Sequence, residues 1–179
     1  MLAPTTLLML LWAGLPVAHA LPEIGDREIN VAFGAFMARG DASTGTAQLD
    51  AGWGMQLAPA WLAGLRQLFS YTFNEESVAE DVWTASTTAF INRYFHSREP
   101  FQPFLGAFLG LAYSDVDVTG TAGPALGARY FLNDRLALVG QYRYEAFFKR
   151  LDVGAETTDF QDGNHVLTLG LSYRLETAR

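Results

Sequence analysis

Val166-Leu167-Thr168-Leu169-Gly170-Leu171-Ser172-Tyr173-Arg174-Leu175 carries leucine or tyrosine at every odd position. From Thr168 onward its even positions are small, polar or charged. Successive side chains of a β-strand point to opposite faces, so this stretch reads as a strand with one apolar face. The same period recurs upstream. Ile29, Val31, Phe33, Ala35 and Met37 alternate with Asn30, Ala32, Gly34 and Phe36. Leu49, Ala51, Trp53, Met55 and Leu57 alternate with Asp50, Gly52, Gly54 and Gln56. Leu136, Leu138, Gly140, Tyr142 and Tyr144 alternate with Ala137, Val139, Gln141, Arg143 and Glu145. Eight such segments can be drawn, at about 28–38, 47–57, 61–73, 82–95, 101–113, 121–132, 135–147 and 165–175. Segment 82–95 alternates least cleanly, with Thr84, Ser86 and Thr88 on one face and Arg93 on the other.

The connections alternate in length, and that sets the topology. Ala58-Pro59-Ala60, Ser97-Arg98-Glu99-Pro100 and Asn133-Asp134 are short and built from turn residues. Between them lie longer polar stretches, Arg39–Thr46, Asn74–Asp81, Ser114–Gly120 and Phe148–Asn164. Short turns at one end and long loops at the other predict an all-β, eight-stranded antiparallel transmembrane up-and-down β-barrel. Closure removes the exposed edges of the sheet, and in lipid it also satisfies backbone groups that would cost several kcal/mol each. Arg93-Tyr94-Phe95 and Arg129-Tyr130-Phe131, each running into a short turn, suggest that two consecutive hairpins reuse one design.

Volume decides which face is outside. An eight-stranded barrel is only just wide enough for its own side chains. Gly52, Gly54, Gly64, Gly106, Gly110, Ala112 and Gly170 lie opposite the leucines and are expected inside. They share that face with a charge network of Asp50, Arg66, Arg129, Arg143, Glu145 and Arg174. Buried unpaired, such charges would be costly, so four cations and two carboxylates should pair, with Gln56, Gln141 or water taking the excess donors. Glu145 has Arg143 two residues away on its own strand as the nearer partner. If the network plugs the barrel, Glu145→Ala should raise conductance or destabilise the fold. Trp61, Tyr71, Phe73, Tyr94, Phe101, Tyr113, Tyr130, Phe147 and Tyr173, at segment ends, are expected to form the interfacial aromatic girdles. A soluble barrel of lipocalin type would instead need a charged outer face, where this sequence offers mostly Gly and Ala.

Composition agrees. The 179 residues are 50% hydrophobic, 13% aromatic and only 17% charged, with no cysteine and a net charge of −7. Disorder is excluded by the apolar content, cysteine-based metal and disulfide chemistry by the missing thiols, and nucleic-acid binding by the acidic balance. Met1 to Ala20 has no charged side chain, an apolar run from Leu7 to Leu15, and ends Ala18-His19-Ala20. Small residues at −3 and −1 are what signal peptidase accepts, so residues 1–20 are expected to be a cleaved signal peptide and 21–179 the barrel domain. The longest later uncharged run, Pro100 to Ser114, is fifteen residues with two prolines and two glycines, which rules out a spanning helix.

The signal-like segment, Ala128-Arg129-Tyr130-Phe131-Leu132-Asn133-Asp134-Arg135-Leu136-Ala137-Leu138 and the closing Gly170-Leu171-Ser172-Tyr173-Arg174-Leu175 resemble the small outer-membrane β-barrel proteins of OmpA/OmpX type. The resemblance implies a cell outer-membrane location and contact with outer-membrane lipid and lipopolysaccharide. It also implies insertion by the barrel-assembly machinery, and a monomer. Members usually end on an aromatic residue; here Glu176-Thr177-Ala178-Arg179 follow Leu175.

Sites of chemistry are few. His19 leaves with the signal peptide, His96 sits beside Ser97 in a short turn, and His165 opens the last strand. The His-x-Ser-Asn stretch of lipid A deacylases on such barrels has no match, and neither a catalytic triad nor a cofactor site is indicated. Eleven of nineteen carboxylates fall in the long loops: Asp41, Glu75, Glu76, Glu80, Asp81, Asp115, Asp117, Asp152, Glu156, Asp159 and Asp162. Without a full calcium-loop spacing they read as a solvated, repelling surface rather than a metal site. The function expected is structural or in surface interaction, with a side-chain-filled lumen. A narrow pore or conduit for small hydrophobic solutes is the alternative, and a lipid-modifying enzyme comes third.

Overall fold

The computed structural model describes residues 22–38, 44–74, 82–95, 99–114, 118–148 and 160–175. They form β1 (Arg27–Ala38), β2 (Thr44–Ala58), β3 (Trp61–Asn74), β4 (Val82–Tyr94), β5 (Phe101–Ser114), β6 (Val118–Phe131), β7 (Leu136–Phe148) and β8 (Phe160–Leu175). Each strand pairs antiparallel with the next, and β8 returns to β1, giving a closed barrel in simple sequence order. The seam between chain ends is short: β1 meets β8 at seven positions, from Arg27↔Leu175 to Phe33↔Leu169, but meets β2 at twelve. The β6–β7 ladder skips Gly123 and Pro124, because proline has no N–H to give it. Between β6 and β7, Asn133 makes the turn by accepting from the N–H groups of Arg135 and Leu136 at 2.9 and 2.8 Å.

Three strands reach further into the long connections than side-chain alternation suggests. β2 begins at Thr44, β6 at Val118 and β8 at Phe160. Here Thr44 pairs with Asn74, Val118 with Tyr113 and Phe160 with Phe148, so backbone bonding carries the hairpins past the end of the apolar pattern. Asp162 therefore lies on β8 rather than in a loop. The other loop carboxylates, His96 and residues 1–20 lie outside the described residues.

The outward face is apolar, with Phe33 63%, Leu65 57%, Leu109 64% and Leu169 59% exposed. Trp61, Phe101, Tyr130 and Tyr173 are exposed toward the short-turn end, and Phe73 toward the other. Arg93 points outward between Trp61 and Phe95, 5.7 and 5.6 Å from the two ring centroids. A polar trio on this face satisfies itself: Thr87 Oγ1 donates to Gln67 Oε1 at 2.6 Å, and Gln67 Nε2 donates to Tyr113 Oη at 2.7 Å.

Two residues expected in the girdles turn inward. Tyr94 is buried, because it shares parity with Phe90 and Asn92 on β4, and Phe147 lines the open end of the lumen. The two Arg-Tyr-Phe triplets are also read in opposite phase. In the first, Arg93 faces out and Tyr94 in; in the second, Arg129 faces in and Tyr130 out. The hairpins do not share one design.

Candidate functional site

In the interior of the described barrel charge, aromatic rings and free volume converge, and pairing register explains how they fit. Phe90 stands opposite Gly64, Phe104 opposite Gly127, Phe108 opposite Gly123 and Arg66 opposite Gly52. A large inward side chain thus has a glycine beside it on a neighbouring strand. At Gly127 the fit is close, since a Cβ there would lie 2.7 Å from Phe104 Cζ. Leu62, Phe90, Tyr94, Phe104, Phe108, Ala125 and Val139 form the hydrophobic cluster this allows.

Nearest the short turns, Arg129 Nη1 meets Glu28 Oε2 at 2.6 Å, and Arg129 Nε donates to Gln102 Oε1 at 2.9 Å. Ser172 Oγ donates to the other oxygen of Glu28 at 2.6 Å. The Arg129 guanidinium lies 3.7 Å from the centroid of Tyr94, and Arg174 lies 4.7 Å from that of Phe131. Arg174 acts electrostatically with Glu28 and Asp26. Asp26 is brought in by a turn at Gly25, whose φ of 94° suits glycine, and its Oδ2 accepts from the N–H of Glu23 at 2.9 Å.

A second layer is centred on Asp50, which is 1% exposed. Arg66 Nε lies 3.4 Å from one carboxylate oxygen and Arg143 Nη2 3.1 Å from the other. Both contacts are ionic but out of line for hydrogen bonds, and all three Arg143 nitrogens lack a hydrogen-bond acceptor in the protein. Attraction holds this layer more than directional bonding does. Each guanidinium also faces a ring, Arg66 at 4.7 Å from Phe90 and Arg143 at 5.6 Å from Phe108. Beside this layer, among Glu28, Arg66, Phe90, Tyr94, Phe104 and Gln141, free space is about 20 Å³. That is room for about one water.

The six residues singled out from sequence are all buried in the lumen, but they are joined differently from the expectation. Arg143 is paired across the barrel with Asp50, whereas Glu145 accepts from Ser86 Oγ at 3.2 Å. Sequence reasoning missed Glu28 and Asp26. Counting them, four buried arginines meet four buried carboxylates among the described residues, so the presumed excess of cations disappears. The missing signal was parity: Glu28 lies on the small-residue side of β1, two positions before Asn30.

Beyond Glu145 the lumen opens into a cavity of about 220 Å³ toward the long connections. On the outside of the barrel, His165 Nδ1 is 2.5 Å from Tyr142 Oη, and its ring packs 5.3 Å from that of Tyr144. This is an aromatic surface contact rather than a nucleophile–base arrangement. Among the described residues no group of three potential metal ligands comes together.

No family model matches the chain, and no curated protein matches it in sequence. Solved structures do match in fold. The crystal structure of the outer membrane protein OprG from Pseudomonas aeruginosa superposes with a TM-score of 0.61 at 15% identity, covering 87% of this chain and 98% of that one. The solid-state NMR structure of the outer membrane protein AlkL in lipid bilayers gives 0.52 at 14% identity, covering 93% and 97%. Neisserial surface protein A (NspA) gives 0.51 at 18% identity, covering 85% and 95%. The fold is that of the small eight-stranded outer-membrane barrels.

Proposed function

We propose that the chain is an integral outer-membrane protein with a structural or surface-interaction role, its barrel closed to passage by its own side chains. One observation carries this reading: two successive charge layers, around Glu28–Arg129 and around Asp50, are packed with aromatic rings and leave space for little more than a water. A closed lumen under an apolar outer band suits a protein that works from its surface. Outer-membrane lipid and lipopolysaccharide contact the apolar band, and the assembly machinery contacts the chain during insertion. The short turns and chain ends face the periplasm, and the long acidic connections face outward. No catalytic role is assigned, because His165 is engaged by tyrosines on the outer wall.

Cell fractionation is expected to recover the protein in the outer membrane, with the heat-modifiable gel mobility of a detergent-resistant barrel. Tags at Glu75, Asp115 or Thr157 should be reachable on intact cells, and tags at Pro59 or Asn133 should not. Recovery as a soluble periplasmic protein sinks the location, and reversed labelling inverts the orientation.

Closure has its own test. Wild-type protein in planar bilayers should show little steady conductance. Glu145 stands on the open side of both packed layers, so Glu145→Ala is now expected to leave conductance low. Replacing Tyr94 and Arg129 together by Ala should raise it. A large, stable wild-type conductance would favour the narrow-pore alternative instead.

A further inference from the structure

We propose that the cavity at the long-connection end of the lumen is a binding site for a small organic amine, with the Glu145 carboxylate as its counter-ion. The inference goes beyond the closed-barrel reading and needs only the open end, not a path through the barrel.

The cavity of about 220 Å³ is smaller than the roughly 300–1,000 Å³ of drug-sized sites, so its occupant has only a few carbons. Its polar lining is one carboxylate, the side-chain amides of Gln48 and Asn164, and hydroxyls, with no cationic side chain among them. Glu145 lies at its base, only 3% exposed, with Ser70, Ser86 and Thr119 around it. Glu28 and Asp50 each have a guanidinium in contact, and Asp26 acts electrostatically with Arg174. Glu145 also feels the Arg143 guanidinium, but its hydrogen-bond contact is the neutral Ser86 hydroxyl and Arg143 is in direct contact with Asp50. Gln48, another lining residue, has a buried Oε1 with no donor. A carboxylate and an unfilled amide oxygen call for a ligand that brings both positive charge and N–H donors. An ammonium group supplies three donors in one compact cation. Leu68, Ala112, Tyr113 and Phe147 form apolar walls that would cover a short hydrocarbon tail. An anion of the same size would be repelled by Glu145.

The test uses the full barrel in lipid nanodiscs, titrated with n-butylamine and, as a size-matched anion, butyrate. Binding is followed by calorimetry and by the amide NMR signals of Ser86 and Ala112. Butylamine should bind saturably and shift those signals, and butyrate should not. Glu145→Gln should weaken butylamine binding by at least about tenfold, the loss expected for one charged hydrogen-bond partner. Should that variant fail to show the folded gel mobility, Thr119→Lys, which keeps Glu145 and places a rival ammonium in the cavity, should weaken binding likewise. Equal binding of butyrate, no binding of butylamine to wild type, or undiminished binding by a folded variant each overturns the proposal.

Discussion

Asp50→Ala is expected to destabilise the folded barrel by at least about 3–5 kcal/mol, the usual loss when one partner is removed from a buried ion pair. The loss falls at the upper end because one carboxylate serves two guanidinium groups, Arg66 and Arg143, both buried. Without Asp50 these cations face each other across the lumen with only the Glu145 carboxylate, itself bonded to Ser86, left to offset them. Neither has a hydrogen-bonded protein acceptor to fall back on at the atoms that now meet Asp50. Against a total stability of about 5–15 kcal/mol, the variant should lose much of its folded population. The measurement is the urea midpoint of the refolded protein in lipid vesicles. Asp50→Asn, which keeps the shape and removes the charge, should behave similarly. Replacing Arg66 and Arg143 by Met together with Asp50→Leu should recover most of the loss, since a well-packed apolar set replaces a buried ionic one at little cost. A change below about 0.5 kcal/mol, typical of an exposed site, would show that the layer is solvated rather than ion-paired.

Gly170→Val should abolish the closed form. A Cβ at Gly170 would run into Val31 O and into Ala32 Cα and Cβ on β1, so the obstruction is mainly backbone and cannot swing aside. The clash falls on the seam, where seven paired positions have to hold the cylinder shut. Gly140→Val is the matched control. A Cβ there meets only Leu169 Cδ1, at 3.9 Å, and valine suits an outward strand position. Heated and unheated gel samples of both variants give the readout: Gly140→Val should keep the folded band and Gly170→Val should lose it. Equal folding of the two would mean that β1 and β8 adjust their spacing freely.

Strand number, order and facing were legible because one period-two pattern repeats with turn residues between. The four connection-rich ends were less so: β8 extends to Phe160 through Asp162 and Gly163, where nothing in side-chain alternation signals a strand. Within the lumen, the charged residues stood out by type, but their partners depend on stagger. Arg143 and Asp50 are joined by curvature that brings β7 across to β2, which no local spacing encodes. The inward rings were hidden for a different reason. On β5 both faces carry large apolar groups, with Phe104 and Phe108 on one and Leu105 and Leu109 on the other, so hydrophobicity alone does not choose. A glycine on the adjoining strand does choose, as Gly127 and Gly123 do for those two rings. Tyr94 and Phe147 lie near strand ends, where rings suit the membrane interface, yet strand parity turns both inward.

The shortness of the β1–β8 seam has a kinetic consequence. The seven other strand pairings join neighbours in sequence and can form hairpin by hairpin, whereas this one unites the two ends of the described chain. Its loop-closure entropy has to be met before its few rungs return any free energy, which makes it a slow step in two-ended assembly. Folding should therefore pass through an open, curved sheet whose first and last strands still bear unpaired edges. Mutations along the seam would then slow folding more than they speed unfolding, while mutations in the Asp50 layer, which needs β2, β3 and β7 already gathered, would report on how early the open sheet curls.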